Sequence, residues 1–497
     1  MSTAEQITYG NIRKPAQIGL FGLSIGAVAG LVPLIVILIV TVVKGNWQWA
    51  GITVLVMGVV VLPAIVPARH GRTLYQRWGL RVAHSAADRA GHNVLVGGPA
   101  GRAPDGKCRL PGLLAPSVLT DCQDSYGNPF GLITLPSHRH HTIVIEGYAE
   151  GSESVDQEVT DSRVAHWGAW LANLDIEGQI VGASVTVETA PDSGLRLRRM
   201  AVGNVVPGAP QFAVATIGAI TAAENRTDAP AITTRIAITF SGRGDRDVKD
   251  RTTAEMAVEI ANRIPALLAG LRTTGAGTTV RLCTAQDIID FTRAAYDPSS
   301  ALAIEEARAD GGTNLTWDEA GPVFAHDGFE VYRHDRAFST SFEMAEGPRG
   351  IFYSNALQRL LAPQRDIERK RVTIMYRPVH NPADVVEKNI NSEQFGASGS
   401  RRQTARSRMN MAAANQAAAE EAAGAGLVRF GLIVTVSTTD AKRLPKAARA
   451  VTSLVGSARL KLRPALGNQA VVFAAGLPLG VVLPEHTMLP TSFRDAL

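Results

Sequence analysis

Cysteine is almost missing from this chain. Cys108, Cys122 and Cys283 are the only three in 497 residues, and no two share a C-x-x-C spacing. An odd count without paired spacing excludes a disulfide framework and a zinc ribbon. Packed, reduced thiols in a reducing compartment are expected instead. Charge is scarce as well, at 19 % of residues, and nearly balanced, leaving a net +5. So mild a basic excess gives no footprint for nucleic acid, and anionic inner-leaflet lipid would account for much of it. Motifs that carry chemistry are lacking too. There is no nucleophile elbow, no paired-carboxylate motif and no glycine-rich dinucleotide fingerprint.

What the chain has is apolar length. Ile18 to Val43 is 26 residues without a charge, and Trp49 to Pro67 is another 19. At about 1.5 Å per helical residue, each run matches a bilayer core of about 30 Å. Two transmembrane helices are therefore expected, joined by the short turn Lys44 to Gln48. Trp47 and Trp49 would sit at the membrane interface, as would Arg69 and Arg72 after the second span. Arg13 and Lys14 before the first span, and Arg69, Arg72, Arg77 and Arg81 after the second, outweigh the single Lys44 in the turn. The positive-inside rule then places both termini in the cytoplasm and the protein in the cell membrane as a multi-pass chain. A cleaved signal peptide would have an apolar core of only about 7–15 residues.

About 430 residues follow the hairpin, enough for two or three domains. The expected fold class is α+β, a transmembrane hairpin followed by ferredoxin-like strand-helix-strand-helix units. A cytoplasmic arm covers 1–17 and the hairpin 18–67. A juxtamembrane helix with a small β-rich unit covers 68–141. One α+β domain covers 142–300 and a second 301–497. In the first, Thr142 to Tyr148 reads as a strand, Val155 to Leu174 as a helix, Ile180 to Glu188 as a strand, and Leu195 to Val206 as a further strand. Ile232 to Phe240, Thr252 to Leu271, Thr279 to Cys283 and Ala285 to Tyr296 then repeat the order strand, helix, strand, helix. The same order returns at Leu427 to Ser437, Asp440 to Ser457, Arg459 to Arg463 and Asn468 to Ala475. The repeat is one of pattern, because matching residues are not alike.

An Arg/Ala-rich helical insert is expected at 398–426. Arg401, Arg402, Arg406 and Arg408 stand near its start and Glu420 and Glu421 near its end, a charge order that opposes the helix macrodipole. An acidic partner surface could offset the basic end, so these four arginines are the candidate docking residues. Gly101 to Cys108 approximates a P-loop, with Lys107 in the lysine place, but Cys108 replaces the hydroxyl residue and Pro111 forbids the helix that should follow. It reads as a turn. His138, His140 and His141 read as exposed residues at a strand entry, since neighbours on a strand point to opposite faces. Trp167 and Trp170 share one side of a helix and read as core.

Three stretches carry a resemblance: Arg369 to Pro378, Gly426 to Val436 and Gln469 to Gly480. Together they resemble an actinobacterial membrane-protein family of conjugation-like, type IV secretion-like gene clusters. Its members look like a small two-span inner-membrane subunit joined to the non-catalytic N-terminal domain of the secretion ATPase. The resemblance covers the hairpin and most of Thr142 to Pro490. It implies a non-enzymatic, membrane-anchored structural component that docks a cytoplasmic secretion ATPase and other channel subunits, in contact with the lipid bilayer. Self-association is a further option, and direct binding of nucleic acid is not expected. No catalytic, cofactor or metal residue carries over. The alternatives are a type VII secretion membrane subunit and a membrane-bound enzyme with an unrecognised site.

Overall fold

The computed structural model describes residues 19–487 except 21–22, 66–70, 102–103, 150, 152–154, 177–178, 225–229, 245–248, 349–351, 380–381, 399–404, 423–425 and 459. It opens with two helices, α1 (Ile25–Val43) and α2 (Trp47–Ile65), joined at Gly45, whose φ of +69° makes the reversal. Among the described residues, no helix is long and apolar enough to cross a membrane. The expected transmembrane hairpin is therefore overturned, and with it the multi-pass cell-membrane placement and the cytoplasmic assignment of the termini. The first uncharged run is longer than the helix it forms. Gly19–Leu20 pairs with Leu23–Ser24 as a short ladder, which removes the start of the run from the helix. Each helix keeps 19 residues.

Helix α3 (Leu74–Arg89) follows, closed at its start by a capping box between Thr73 and Gln76. It touches the folded body at His84 and leaves Leu74, Trp78 and Val82 exposed. His84 meets Phe329 edge-on, and Arg72, just before the helix, donates to Glu343 at 2.8 Å.

The expected pair of separate ferredoxin-like units is also corrected. Among the described residues, thirteen strands form one antiparallel sheet. In chain order the remaining elements are β1 (Val94–Val96), β2 (Val118–Gln123), β3 (Pro129–Leu135), β4 (His140–Gly147), α4 (Gln157–Ile176), β5 (Ile180–Pro191), α5 (Leu195–Gly203), α6 (Gln211–Glu224), β6 (Pro230–Ser241), α7 (Thr253–Arg272), β7 (Val280–Leu282), α8 (Ala285–Tyr296) and α9 (Ala301–Ala309). Then come β8 (Phe324–Asp327), β9 (Tyr332–His334), β10 (Ala337–Glu346), α10 (Gln358–Leu361), β11 (Arg369–Pro378), α11 (Pro382–Ser398), α12 (Ala405–Ala422), β12 (Val428–Thr438), α13 (Leu444–Ser457), β13 (Lys461–Pro464) and α14 (Gln469–Ala475). The expected strand at Leu195 to Val206 is instead helix α5, followed by α6.

The sheet order is β1-β8-β9-β10-β12-β11-β5-β6-β4-β3-β2, with β13 added beside β10 and β7 beside β4. This order reads the same from either side of the β11–β5 junction, apart from β1. Each half runs two outer strands, a third strand, a helical connection, a central strand, a helical hairpin, the next strand, a helix, a short strand and a helix. The halves are therefore related by an approximate twofold axis through β5 and β11, where Thr186 pairs with Thr373. Corresponding residues are alike in one telling place. Glu146 of β4 pairs with Arg281 of β7, and Glu343 of β10 pairs with Arg463 of β13, in the same register and as the same ion pair.

Alternation along the strands gives the sheet two different faces. One face is apolar. Ile143, Ile145, Ile236 and Ile238 pack there against Trp170 of α4 and the Met256, Ile260, Ile264 and Leu271 stripe of α7. In the other half, Val372, Leu432, Val434 and Val436 pack against Val451 and Leu454 of α13. The opposite face is rich in hydroxyls. Thr142 meets Thr239 at 3.0 Å, and Ser341 meets Thr435 at 2.9 Å. Helices α8 and α14 and the segment after α14 cover it, with Phe473, Leu477 and Leu479 fully buried. Thr373 donates to the Gly476 carbonyl at 2.7 Å, so the covering segment satisfies polar groups that an apolar lid would orphan.

Candidate functional site

The expected site residues do not come together. Arg401 and Arg402 lie outside the described residues, as does Arg69. Arg406 lies on α12, and Arg408 is exposed on the same helix, which packs antiparallel to α11. Trp47 and Trp49 are exposed at the start of α2. The Arg72 side chain is nearly buried against Glu343. Lys107 donates to Asp318 at 2.7 Å, and Arg109 joins it at 3.2 Å. The chain after Lys107 makes only the short 3-10 turn Gly112–Leu114, so no helix N-terminus faces Lys107 as a phosphate cradle requires.

The histidines need a correction. His140 and His141 are buried, not exposed. His141 meets the Thr134 hydroxyl at 3.2 Å, and the His138 ring lies 4.1 Å from that of His486 and 5.7 Å from that of His140. Burial holds the His140 ring down at about 3, aided by the neighbouring His138, His486, Arg243 and His141. Burial likewise holds His141 down at about 4. Among the described residues no group of His, Cys, Asp and Glu is arranged to hold a metal ion. Trp167 and Trp170 do stack, at 5.0 Å and 18°, with Trp170 in the core.

Two surfaces stand out. The first is the helical hairpin α5–α6, inserted between β5 and β6. Phe212 is 83 % exposed, Val202 71 % and Val206 69 %, and Ile217 and Ile220 are exposed beside them. The threonines of α6 do not relieve this. Thr216 and Thr221 turn their hydroxyls back onto the Phe212 and Ile217 carbonyls, at 2.7 and 3.0 Å, as mid-helix threonines do when they bond the preceding turn.

The second is a cavity of about 930 Å³ under this hairpin, on the hydroxyl-rich face. Its floor is Glu188, Thr233, Arg235 and Arg369 of β5, β6 and β11. Leu195 and Met200 of α5, Phe291 of α8 and Ile304 of α9 supply apolar walls, with Arg196, Arg199, Asp290 and Arg308 among them. Cross-strand register builds the floor. Arg371 stands directly opposite Glu188, and Arg235 opposite Glu146. Arg371 donates to Glu188 at 3.0 Å, Arg369 donates at 3.3 Å, and Arg235 lies 3.9 Å away. Burial alone would push the Glu188 carboxyl up. The Arg371, Arg369 and Arg235 guanidiniums outweigh it and hold it down at about 2.

The network continues through Glu146, which takes Arg235 at 3.3 Å and also Arg281. Arg281 reaches Asp287 at 2.7 Å, and Arg308 bridges Asp287 and Asp290. No short motif announces these residues, which are scattered from Glu146 to Arg371. The available signal was a charged residue at an alternating, inward-facing place in an otherwise uncharged strand, as with Arg235 in Thr233-Thr-Arg-Ile-Ala-Ile238.

Comparison with known proteins adds little. A family model described as a domain of unknown function (DUF8461) matches residues 17–76. That stretch includes α1, α2 and the start of α3 and leaves the sheet outside the match. No curated protein matches the chain.

Proposed function

We propose that this chain is a non-enzymatic structural component of a type IV secretion-like apparatus and that it docks the ATPase of that machinery. The exposed apolar hairpin α5–α6 carries this reading. Contiguous exposed apolar surface on a folded protein marks an interaction site, and Phe212, Ile217 and Ile220 offer the large side chains that anchor interfaces. The hairpin connects the paired strands β5 and β6, so a partner seated on it would sit at the end of the central strands. Arg408, exposed on the counterpart hairpin α11–α12, supplies a charged contact outside the apolar patch.

The test is co-purification of the full chain with an ATPase from its native source. The wild-type chain should capture the ATPase, Phe212→Ser with Ile220→Ser should reduce capture at least tenfold, and Arg408→Glu should weaken capture mainly at low salt. Absence of an ATPase from the wild-type eluate would remove the reading.

A further inference from the structure

The approximate twofold axis gives the cavity an internal control. Position by position, Glu188 corresponds to Met375, Arg369 to Gly182, Arg371 to Ser184 and Arg235 to Ile433, counted outward from the Thr186–Thr373 pair. The corresponding place in the other half holds a pocket of about 160 Å³, closed over by the segment Gly480 to Pro484. Both halves keep the Glu146–Arg281 and Glu343–Arg463 type of pair, so that pair belongs to the shared fold. The charges around Glu188, drawn from β5, β6 and β11, stand on one side of the axis alone. The symmetry-related place on the other side has a methionine, a glycine, a serine and an isoleucine, so the fold does not require the charges. Buried charge is costly, and well-packed apolar side chains often serve stability as well or better. A network present on one side of the axis only, at the floor of the open cavity, calls for a different explanation.

We propose that the cavity beneath α5 is a binding site for an organic oxyanion, a carboxylate or a phosphate monoester, carried on an apolar body. The charge count favours an anion. Arg196, Arg199, Arg235, Arg308 and Arg369 line the cavity against the carboxylates of Glu188, Asp290 and Glu305. Of these guanidiniums, that of Arg196 has no ion-pair partner among the described residues. A donor is left over as well. The Nε of Arg235, on the floor, is buried without a hydrogen-bond partner among the described residues, as is the acceptor Oδ2 of Asp290 at the wall. Guanidinium forks match planar and tetrahedral oxyanions alike. The body of the ligand would lie on Leu195, Met200, Phe291 and Ile304, where Arg235 already stacks 4.5 Å from the Phe291 ring centre. A volume of about 930 Å³ is in the range of small-molecule sites, roughly 300–1,000 Å³. The proposal does not depend on the docking role, since it concerns what fills the cavity and not what covers the hairpin.

Calorimetric titration of the full chain with 1-naphthyl phosphate, 1-naphthoate and the uncharged 1-naphthalenemethanol tests this. At least one of the two anions should bind saturably with one site per chain, and at least tenfold more tightly than the alcohol. The preferred anion tells a phosphate site from a carboxylate site. Ala301→Trp, which fills the cavity from α9, should weaken binding at least tenfold, and Arg196→Ala should weaken it about threefold or more without changing the melting temperature. Equal binding of the alcohol, no saturable binding of either anion, or anion binding that survives both substitutions would overturn the proposal. If Ala301→Trp does not fold, the Arg196→Ala titration and the alcohol comparison decide.

Discussion

Thr186 and Thr373 face each other at the middle of the sheet, with their hydroxyls 3.1 Å apart and both side chains buried. They occupy corresponding places in the two halves, so the axis relating the halves passes through their hydrogen bond. Thr373 also reaches the Gly476 carbonyl, which links the central strands to the covering segment.

Replacing Thr373 by valine should cost more than replacing Thr186, because it also takes the donor from the buried Gly476 carbonyl. Thr186→Val leaves only the Thr373 hydroxyl short of one buried partner, at about 1–3 kcal/mol. A double-mutant cycle read by urea unfolding should give a coupling of about 0.5–1.5 kcal/mol. Strict additivity would show that the pair contributes nothing of its own.

Glu188 and Arg371 should behave asymmetrically. Glu188→Gln leaves the Arg369 and Arg371 guanidiniums without their buried counter-charge, while Arg235 keeps Glu146, and should destabilise by about 3–5 kcal/mol. The pair Glu188→Leu with Arg371→Met should recover much of that loss in the same denaturation assay. The Glu188 carboxyl is held below its unfolded value, so its contribution is complete above pH 4.5 and is lost as pH falls toward 2. The Glu188→Gln variant should lack that part of the acid transition.

A separate acid loss should come from buried neutral histidines. Burial holds His334 and His486 down at about 4, as it does His141, and His140 at about 3. The unfolded chain takes up protons below pH 6.5 that the folded chain refuses. Their contribution is therefore full above pH 6.5 and declines as pH falls to 4, and to 3 for His140. Melting temperature should drop through that window. His140→Gln should flatten the drop, and a pH-independent melting temperature between 7 and 4 would contradict the assignment.

Gly480→Ala should loosen the segment that closes the smaller pocket. Gly480 has φ +75°, and an added Cβ would run into the Thr142 and Thr239 hydroxyls. Neither the backbone nor the neighbours can yield cheaply, so amide protection of residues 476–484 should fall by tenfold or more in hydrogen exchange while β12 and α13 keep theirs.

Much of the secondary structure was legible. Helices α8 and α7 fall at the expected Ala285 to Tyr296 and Thr252 to Leu271, and each opens at a threonine capping box, of Thr284 and of Thr252. The strand-helix-strand-helix repeat was visible because it rests on periodicity. What joined the repeats was not visible, because strand pairing across the β5–β11 junction leaves no local trace in sequence. Helix α5 was mistaken for a strand because Leu195 and Leu197 alternate with Arg196 and Arg198. Helix α6, without a charge until its last residue Glu224, offered no polar face by which to recognise it. The apolar N-terminal runs misled for a related reason, since run length bounds a helix but does not fix where it starts. The charged floor of the cavity depends wholly on register. Glu188 and Arg371 lie 183 residues apart, and only the pairing of their strands brings them together.

The β5–β11 junction also bears on how such a chain can be divided. Cut between α9 and β8, each half would keep its own strands and helices, β1 alone being parted from its neighbour β8, but would expose one long strand whose amide and carbonyl rows have lost their mate. An unmatched strand edge seeks another strand. Two separately made halves should therefore find each other, or copies of themselves, through that edge. Tethering in one polypeptide makes the right pairing the nearest one, at the effective concentration that a covalent linker supplies. Continuity of the chain thus selects between a matched pair and the mispaired assemblies that the same edges could form.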